Sequence, residues 1–396
     1  MPKRTFVDIR SIADYNSLYR SWNVVSKGKD ERFDVTKFKK DIPGNLKRLR
    51  HKILSGEWRP DPGRTFLLLT DGKIREIHAV NIETQIVQYA LMYHFGLTRR
   101  FVNRTFGSIK GRGTLKASKQ VRRDIHRSGL TLVVKRDVKK YYPSIAKSKV
   151  MEMINQRYKG SAAISLLETC LRSYKPDSDV SLSIGAITSQ DLGNFFLTPF
   201  DYMMLTLTPY FARYVDDFVA LVRNKREAAN LIVKSNEAIA EQGLVFGKTS
   251  VFPLDKRRID FCNYATNDNN TRLRRGTARR FTNKLKIMQD KPLRPEYEDS
   301  CINSYLGFLL HCDSKHLIQK LRHEYNQVFM RLDRRAESRK REKSKNAGSA
   351  PSVGRVPGVL QSSGSGSAPR SKRRRPGRNH RGSRCTLTKP SACANR

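Results

Sequence analysis

The sequence predicts an α+β chain that ends in a basic, low-complexity tail. Three observations predict it. Short apolar runs, Leu130 to Val134 and Phe218 to Val222, read as buried strands. Longer segments, such as 83–99 and 225–242, repeat apolar residues at helical spacing. From about residue 334 the chain turns to Ser, Gly, Lys and Arg with almost no large apolar side chains, and such a stretch cannot bury a core.

Taken in order, residues 1–50 read as helical and basic. Ile12, Tyr15, Leu18, Tyr19 and Trp22 share one helical face, and 33–54 repeats the pattern. Residues 64–80 read as a hairpin: Thr65 to Leu69, a turn at Thr70-Asp71-Gly72-Lys73, then Ile74 to Val80. Lys73 and Arg75 stand just past the turn and on pattern alone are two exposed charges. Helix 83–99 should turn Ile86, Val87, Tyr89, Ala90 and Met92 inward. In the loop Ser108 to Thr114, glycines beside Lys110 and Arg112 suit an approach to phosphates, a weak motif by itself. Residues 148–174, 191–203, 225–242 and 272–332 read as helices.

The 396 residues carry a formal charge of +42, and residues 334–396 hold eighteen Lys and Arg against two Glu. The rest of the chain is therefore also strongly basic. Such a field attracts phosphate backbones, with a merely solvated basic face as the plainer reading. Six cysteines form no C-x-x-C pair, so no zinc site is expected and the thiols suit a reducing cytosol. The N-terminal stretch lacks an apolar segment long enough for a signal or a membrane span, so a cytoplasmic protein without membrane contact is expected.

The chemistry centres on Tyr214-Val215-Asp216-Asp217, flanked by apolar residues. Adjacent carboxylates repel, and burial adds desolvation. A divalent cation removes that cost, and Mg²⁺ takes such oxygen ligands. An Asp-Asp turn between strands is the plain alternative. Asp137, at the end of the Leu130 strand, offers a third carboxylate. Three such groups suit two ions about 3.5–4 Å apart, clamping an in-line phosphoryl displacement.

Asp137-x-x-x-Tyr141-Tyr142 followed by Tyr214-Val215-Asp216-Asp217 resembles motifs A and C of reverse transcriptases. Ser183-Ile184-Gly185-Ala186-Ile187-Thr188-Ser189-Gln190 stands in the place of motif B. It departs from the common P-Q-G-x-x-x-S-P and resembles the I-G-x-x-T-S-Q form of diversity-generating retroelements. Ile259-Asp260-Phe261-Cys262-Asn263-Tyr264 resembles motif E, departing at Cys262 and Asn263, and residues 304–321 resemble the C-terminal S-Y-L-G segment of the same enzymes. The resemblance covers roughly residues 50–325.

It implies a right-hand polymerase fold. A basic helical segment spans 1–50, fingers and palm 51–265, a helical thumb 266–335, and a disordered tail 336–396. It implies RNA-templated addition of dNMP to a primer 3′-OH. Asp137, Asp216 and Asp217 would be catalytic and, with the Val138 carbonyl, would hold two Mg²⁺, Mn²⁺ substituting. Lys73, Arg75, Lys110 and Arg112 would bind the incoming triphosphate. Tyr142 would block a ribose 2′-OH, and Ile184, Gly185, Ser189 and Gln190 would line the nucleotide. Lys248, in the place of motif D, would be a general acid, or else a surface lysine. Phe261, Cys262, Asn263 and Tyr264 would grip the primer. The implied partners are template RNA, primer and cDNA, dNTPs and a small basic accessory protein, in a bacterial or phage setting. Two other readings compete. One is a retron, group II intron or phage-defence reverse transcriptase, although no N-A-x-x-H, V-T-G or endonuclease motif is found. The other is a non-catalytic basic RNA-binding protein of the same fold, against which the three aspartates argue.

Overall fold

A four-stranded antiparallel sheet, in the order β6-β7-β4-β8, carries the centre of the chain. The computed structural model describes residues 3–348 except Asp71. Residues 1–337 form one compact unit. The N-terminal part contains β1 (Thr5–Phe6) and four helices, α1 (Ile9–Ile12), α2 (Tyr15–Val25), α3 (Phe33–Lys39) and α4 (Ile42–Leu54). Asp14 and Asp41 cap α2 and α4, accepting from backbone N–H groups of the first turn. Ile12, Leu18 and Trp22 are buried as their spacing predicts, but Tyr19 is exposed, because α2 buries the face of Ser17, Leu18, Ser21, Trp22 and Val25 and leaves Tyr19 at its edge, stacked on Tyr15.

The hairpin β2 (Arg64–Thr70) and β3 (Lys73–Ala79) follows, its strands largely exposed on both faces. Helix α5 (Ile82–Phe95) ends at Gly96, whose φ of 57° lets its N–H close on Met92. The expected helix to residue 99 is therefore shorter, and a 3₁₀ turn, Leu97–Arg100, completes it. Then come α6 (Thr114–Ser128), β4 (Leu132–Val138), α7 (Tyr141–Ser144), α8 (Lys147–Arg157), β5 (Tyr158–Lys159) and α9 (Ser161–Arg172). The strand expected over 130–134 is displaced. Pairing on both sides carries β4 through Lys135, Arg136 and Asp137 to Val138.

The helix expected over 191–203 is two helices, α10 (Ile187–Phe196) and α11 (Thr198–Leu207), broken at Leu197 ahead of Pro199. Next are β6 (Phe211–Tyr214), β7 (Asp217–Val222), α12 (Lys225–Glu241) and β8 (Phe246–Pro253). A second sheet follows, β9 (Ile259–Phe261), β10 (Tyr264–Thr266) and β11 (Thr271–Leu273), and its last strand reaches into the stretch expected to be helical. Helices α13 (Arg275–Asp290), α14 (Pro295–Leu309), α15 (Lys315–Glu324) and α16 (Asn326–Gly348) follow. Helix α16 runs beyond residue 336, where the unstructured tail was expected to begin; residues 349–396 of that tail lie outside the described residues. Among the described residues no helix is long and apolar enough to cross a membrane.

The central sheet is covered on both sides, which is why its strands read as unbroken apolar runs. Val134, Phe218, Ala220 and Val222 face one core with the N-terminal helices, α5 and α8 to α12. Val133, Val219 and Leu221 face another with Ala117, Val121 and Ile125 of α6 and Phe261 of β9. On this second face the apolar pattern gives way, toward one end, to Lys135, Asp137 and Asp217. Arg136, on the opposite face, ties α12 to the sheet. Its guanidinium donates to the Ser235 hydroxyl, Asn236 Oδ1 and Thr249 Oγ1, and lies 3.7 Å from the Phe246 ring centre.

Candidate active site

Strand register assembles the acidic end of the sheet. Asp137 pairs directly with Asp217 across β4 and β7, so both side chains leave the same face. Tyr214 pairs with Asp217 across β6 and β7, leaving Val215 and Asp216 as a two-residue turn. The Val138 N–H donates to the Asp216 carbonyl at 3.1 Å, tying that turn to β4. Val215 has φ 60°. A β-branched residue there is a conformational outlier, costing on the order of 1–3 kcal/mol. On the other flank, β8 bulges: Arg136 pairs with Thr249 and Val138 with Phe246, so Gly247 and Lys248 together face Asp137. A Cβ on Gly247 would stand 3.1 Å from Asp137 Oδ2, so the glycine leaves room for that carboxylate.

The electrostatics are those of a crowded, partly dry acidic site. Burial pushes the Asp217 carboxyl up to about 6, with Asp216 and Asp137 adding and Lys135 opposing. Burial also raises Asp216; Asp137 adds, while Arg75 and Lys73 oppose. The two hairpin cations are therefore within electrostatic reach of the turn. Lys135 Nζ lies 3.3 Å from Asp217 Oδ2 and also donates to the Asp260 carbonyl. Asp217 Oδ1 is buried with no hydrogen-bond partner. Among the described residues, no three acidic, His or Cys side chains gather closely enough to form a ready-made metal cage.

The other sequence-predicted residues divide. Tyr141 is buried and its hydroxyl donates to the Gly193 carbonyl, whereas Tyr142 is half-buried. Burial, then Asp216, push the Tyr142 hydroxyl up to about 12, which places that ring in the field of the acidic turn. Lys73, Arg75, Lys110, Gln190 and Lys248 are exposed. Arg112 turns inward: its guanidinium donates to the Val102 and Thr105 carbonyls at 2.7 Å each and so staples its own loop. Ser189 is buried within α10, away from solvent. Phe261 and Tyr264 are also buried, and Cys262 and Asn263 of the expected primer grip are half-buried, Cys262 against the second core. These two take φ 53° and 70°, the left-handed pair of a tight hairpin turn.

Gly185 owes its place to a different neighbour from the one expected. Its φ is 123°, and a Cβ there would sit 2.6 Å from the His78 carbonyl. The adjacent His78 N–H donates to the Ile184 carbonyl at 2.9 Å. His78 Nε2 donates to the Pro62 carbonyl at 2.7 Å, which leaves Nδ1 to accept from the Ser183 hydroxyl at 3.1 Å. The β3 strand is thus pinned through one histidine to Ser183 and Ile184, in the loop ahead of α10. Sequence reasoning passed over His78, Lys135 and Arg213. The available signal was a charged residue at alternate positions of an otherwise apolar strand, as with Lys135 in β4 and Arg213 in β6.

No protein-family model matches the chain, and no curated protein does. Among solved structures it is similar to telomerase from Candida albicans in complex with a fragment of telomeric RNA, at 14% identity and TM-score 0.44, over 70% of this chain and 55% of that one. It is also similar to apo telomerase from Candida tropicalis, at 11% identity and TM-score 0.42, over 68% and 60%, and to a form truncated of its C-terminal domain, at 12% and 0.42, over 54% and 55%. The chain spans less than two thirds of the length of each.

Proposed function

We propose that this chain is an RNA-directed DNA polymerase of right-hand fold that adds dNMP to a primer 3′-OH, and that it is of the diversity-generating retroelement kind. The observation that carries the reading is the pairing of Asp137 with Asp217 beside a strained turn that bears Asp216. The donor set fits a hard divalent cation. It is all oxygen, one buried oxygen of Asp217 has no partner among the described residues, and burial raises both Asp216 and Asp217. Asp137, Asp216 and Asp217, with the Val138 carbonyl, would hold two Mg²⁺, Mn²⁺ substituting. Bound there, the ions supply the charge that activates the 3′-hydroxyl and stabilises leaving pyrophosphate.

The chain's own residues do the rest. Lys73 and Arg75 bring positive charge from the hairpin to the triphosphate. Lys110 adds an exposed cation that no group among the described residues engages. Tyr142, its ring in the field of the acidic turn, would block a ribose 2′-OH. Lys248, across the bulge from Asp137, is placed to give a proton to pyrophosphate. Lys135 neutralises Asp217 when no cation is bound. The Cys262–Asn263 turn supports the primer, and the basic surface carries template RNA. The retroelement assignment draws on Ser183–Gln190 and on residues 304–321, and with it comes a small basic accessory protein as partner.

The experiment is primer extension on a primed RNA template. Asp216→Asn and Asp137→Asn should each abolish dNTP incorporation while RNA binding persists. Incorporation at the wild-type rate by either variant refutes the metal assignment. A second reading, RNA binding without catalysis, is favoured by the Lys135–Asp217 ion pair, which needs no cation. Its signature is a wild-type chain that binds RNA and incorporates nothing.

A further inference from the structure

We propose that Arg213 is a positioning residue that sets the acidic turn, acting together with Gly107; this rests on the polymerase reading above. Arg213 is 1% exposed and its partner Asp201 is fully buried. Nε and Nη2 donate to the two Asp201 oxygens at 2.6 and 2.5 Å. The remaining arm, Nη1, donates to the Val215 carbonyl at 2.6 Å and to Asn194 Oδ1 at 3.2 Å. One guanidinium therefore spans from α11 to the residue that precedes Asp216.

The opposite wall is Gly107. The Phe106 N–H donates to the Arg213 carbonyl at 2.9 Å, and the Arg213 N–H to the Arg104 carbonyl at 2.8 Å, so residues 104–106 run along β6. Asn194 Nδ2 holds the Gly107 carbonyl at 2.7 Å, and the Thr105 hydroxyl donates to Asp201 Oδ2 at 2.8 Å. A Cβ on Gly107 would lie 2.5 Å from Val215 Cγ2 and 2.7 Å from its backbone nitrogen. Val215 is thus gripped at its carbonyl and walled at its nitrogen, and these two contacts hold it at φ 60°. A buried Arg–Asp pair is a weak choice for stability alone, since apolar replacements are often neutral or better. The third arm on the turn gives it a use that only a planar fork can serve. Lysine keeps the charge opposite Asp201 but cannot reach both carboxylate oxygens and the turn carbonyl together.

The test uses the full chain with two variants. Arg213→Lys removes the grip. Gly107→Ala leaves the ion pair intact, and its backbone does not need a left-handed φ, so the added methyl acts on Val215. Steady-state primer extension gives kcat and KM for dNTP, RNA affinity is read by anisotropy, and Mn²⁺ affinity is read by EPR of the free ion. Displacing reacting groups by about 1 Å costs on the order of 100-fold, so kcat should fall roughly 10- to 100-fold in both variants. Mn²⁺ affinity should weaken in parallel, while dNTP KM and RNA affinity stay within about twofold. Wild-type kcat in Gly107→Ala overturns the positioning role. So does a parallel loss of kcat, RNA affinity and folded fraction, which marks a structural support only. A wild-type chain that incorporates nothing overturns the polymerase reading instead, and this inference with it.

Discussion

Asp191 lies in α10, directly after Gln190, half-buried and with no hydrogen-bond or ion-pair partner among the described residues. Burial alone pushes its carboxyl up to about 6 from an ordinary value of 3.8. The folded chain therefore keeps a proton that the unfolded chain has released. Between about 3.8 and 6 the folded state binds more protons, so stability falls as pH rises through that window and is level above it. The full difference corresponds to about 3 kcal/mol. Partial exposure screens it, leaving about 1–2 kcal/mol. Asp191→Asn removes the charge and keeps the shape. Above pH 6 it should stabilise the chain by that amount, raising Tm by about 1–3 °C in a unit of this size. Below pH 4 the two chains should melt together. Thermal melts of both chains at pH 4, 5, 6, 7 and 8 supply the test. A difference that is the same at pH 4 and pH 8, or a variant that melts lower at pH 8, refutes the argument. Stabilisation accompanied by weaker dNTP binding would mark Asp191 as a charge kept for substrate at a cost in stability.

Three further outcomes are expected. Replacing Tyr142 with Ala should raise ribonucleotide incorporation, measured as the dNTP/rNTP ratio of kcat/KM; an unchanged ratio leaves the ring as packing. Ile184→Gln restores an amide where Ile184 offers none, and one hydrogen bond of about 0.5–1.5 kcal/mol should lower errors opposite template adenine by roughly two- to twelve-fold; equal adenine error frequencies in sequenced cDNA sink it. Glu298 is 1% exposed and pairs with Arg331 and Arg335 at 3.1 Å each, so Glu298→Ala should cost about 3–5 kcal/mol. Burial would raise Glu298, but the Arg331 and Arg335 hydrogen bonds outweigh it and hold the carboxyl below its ordinary 4.5. Its contribution is therefore full above that value and is lost as pH falls through the lower folded one. A chemical-denaturation series on both chains at pH 7 and pH 3 checks this, the gap closing at the lower pH.

The sequence by itself determined the carboxylates and their strands. Asp137, Asp216 and Asp217 stand out because charge beside an apolar run is costly, and the unbroken run Phe218 to Val222 marks β7 without help from elsewhere. The same local chemistry announced the β2–β3 hairpin. Only the tertiary structure decided register and partners. That Asp137 faces Asp217 depends on antiparallel pairing between segments about eighty residues apart, and no local propensity encodes that register. That Arg112 staples its own loop, while Lys110 stays exposed, follows from where carbonyls happen to converge. Gly185 and Gly107 were legible as glycines but not as the sites where the His78 carbonyl and Val215 press in, because close approach is a property of two segments. The grip of Arg213 on Val215 was invisible for the same reason. A buried guanidinium is recognised by what surrounds it in space, and Asp201, Asn194 and Gly107 reach it only once the chain has folded.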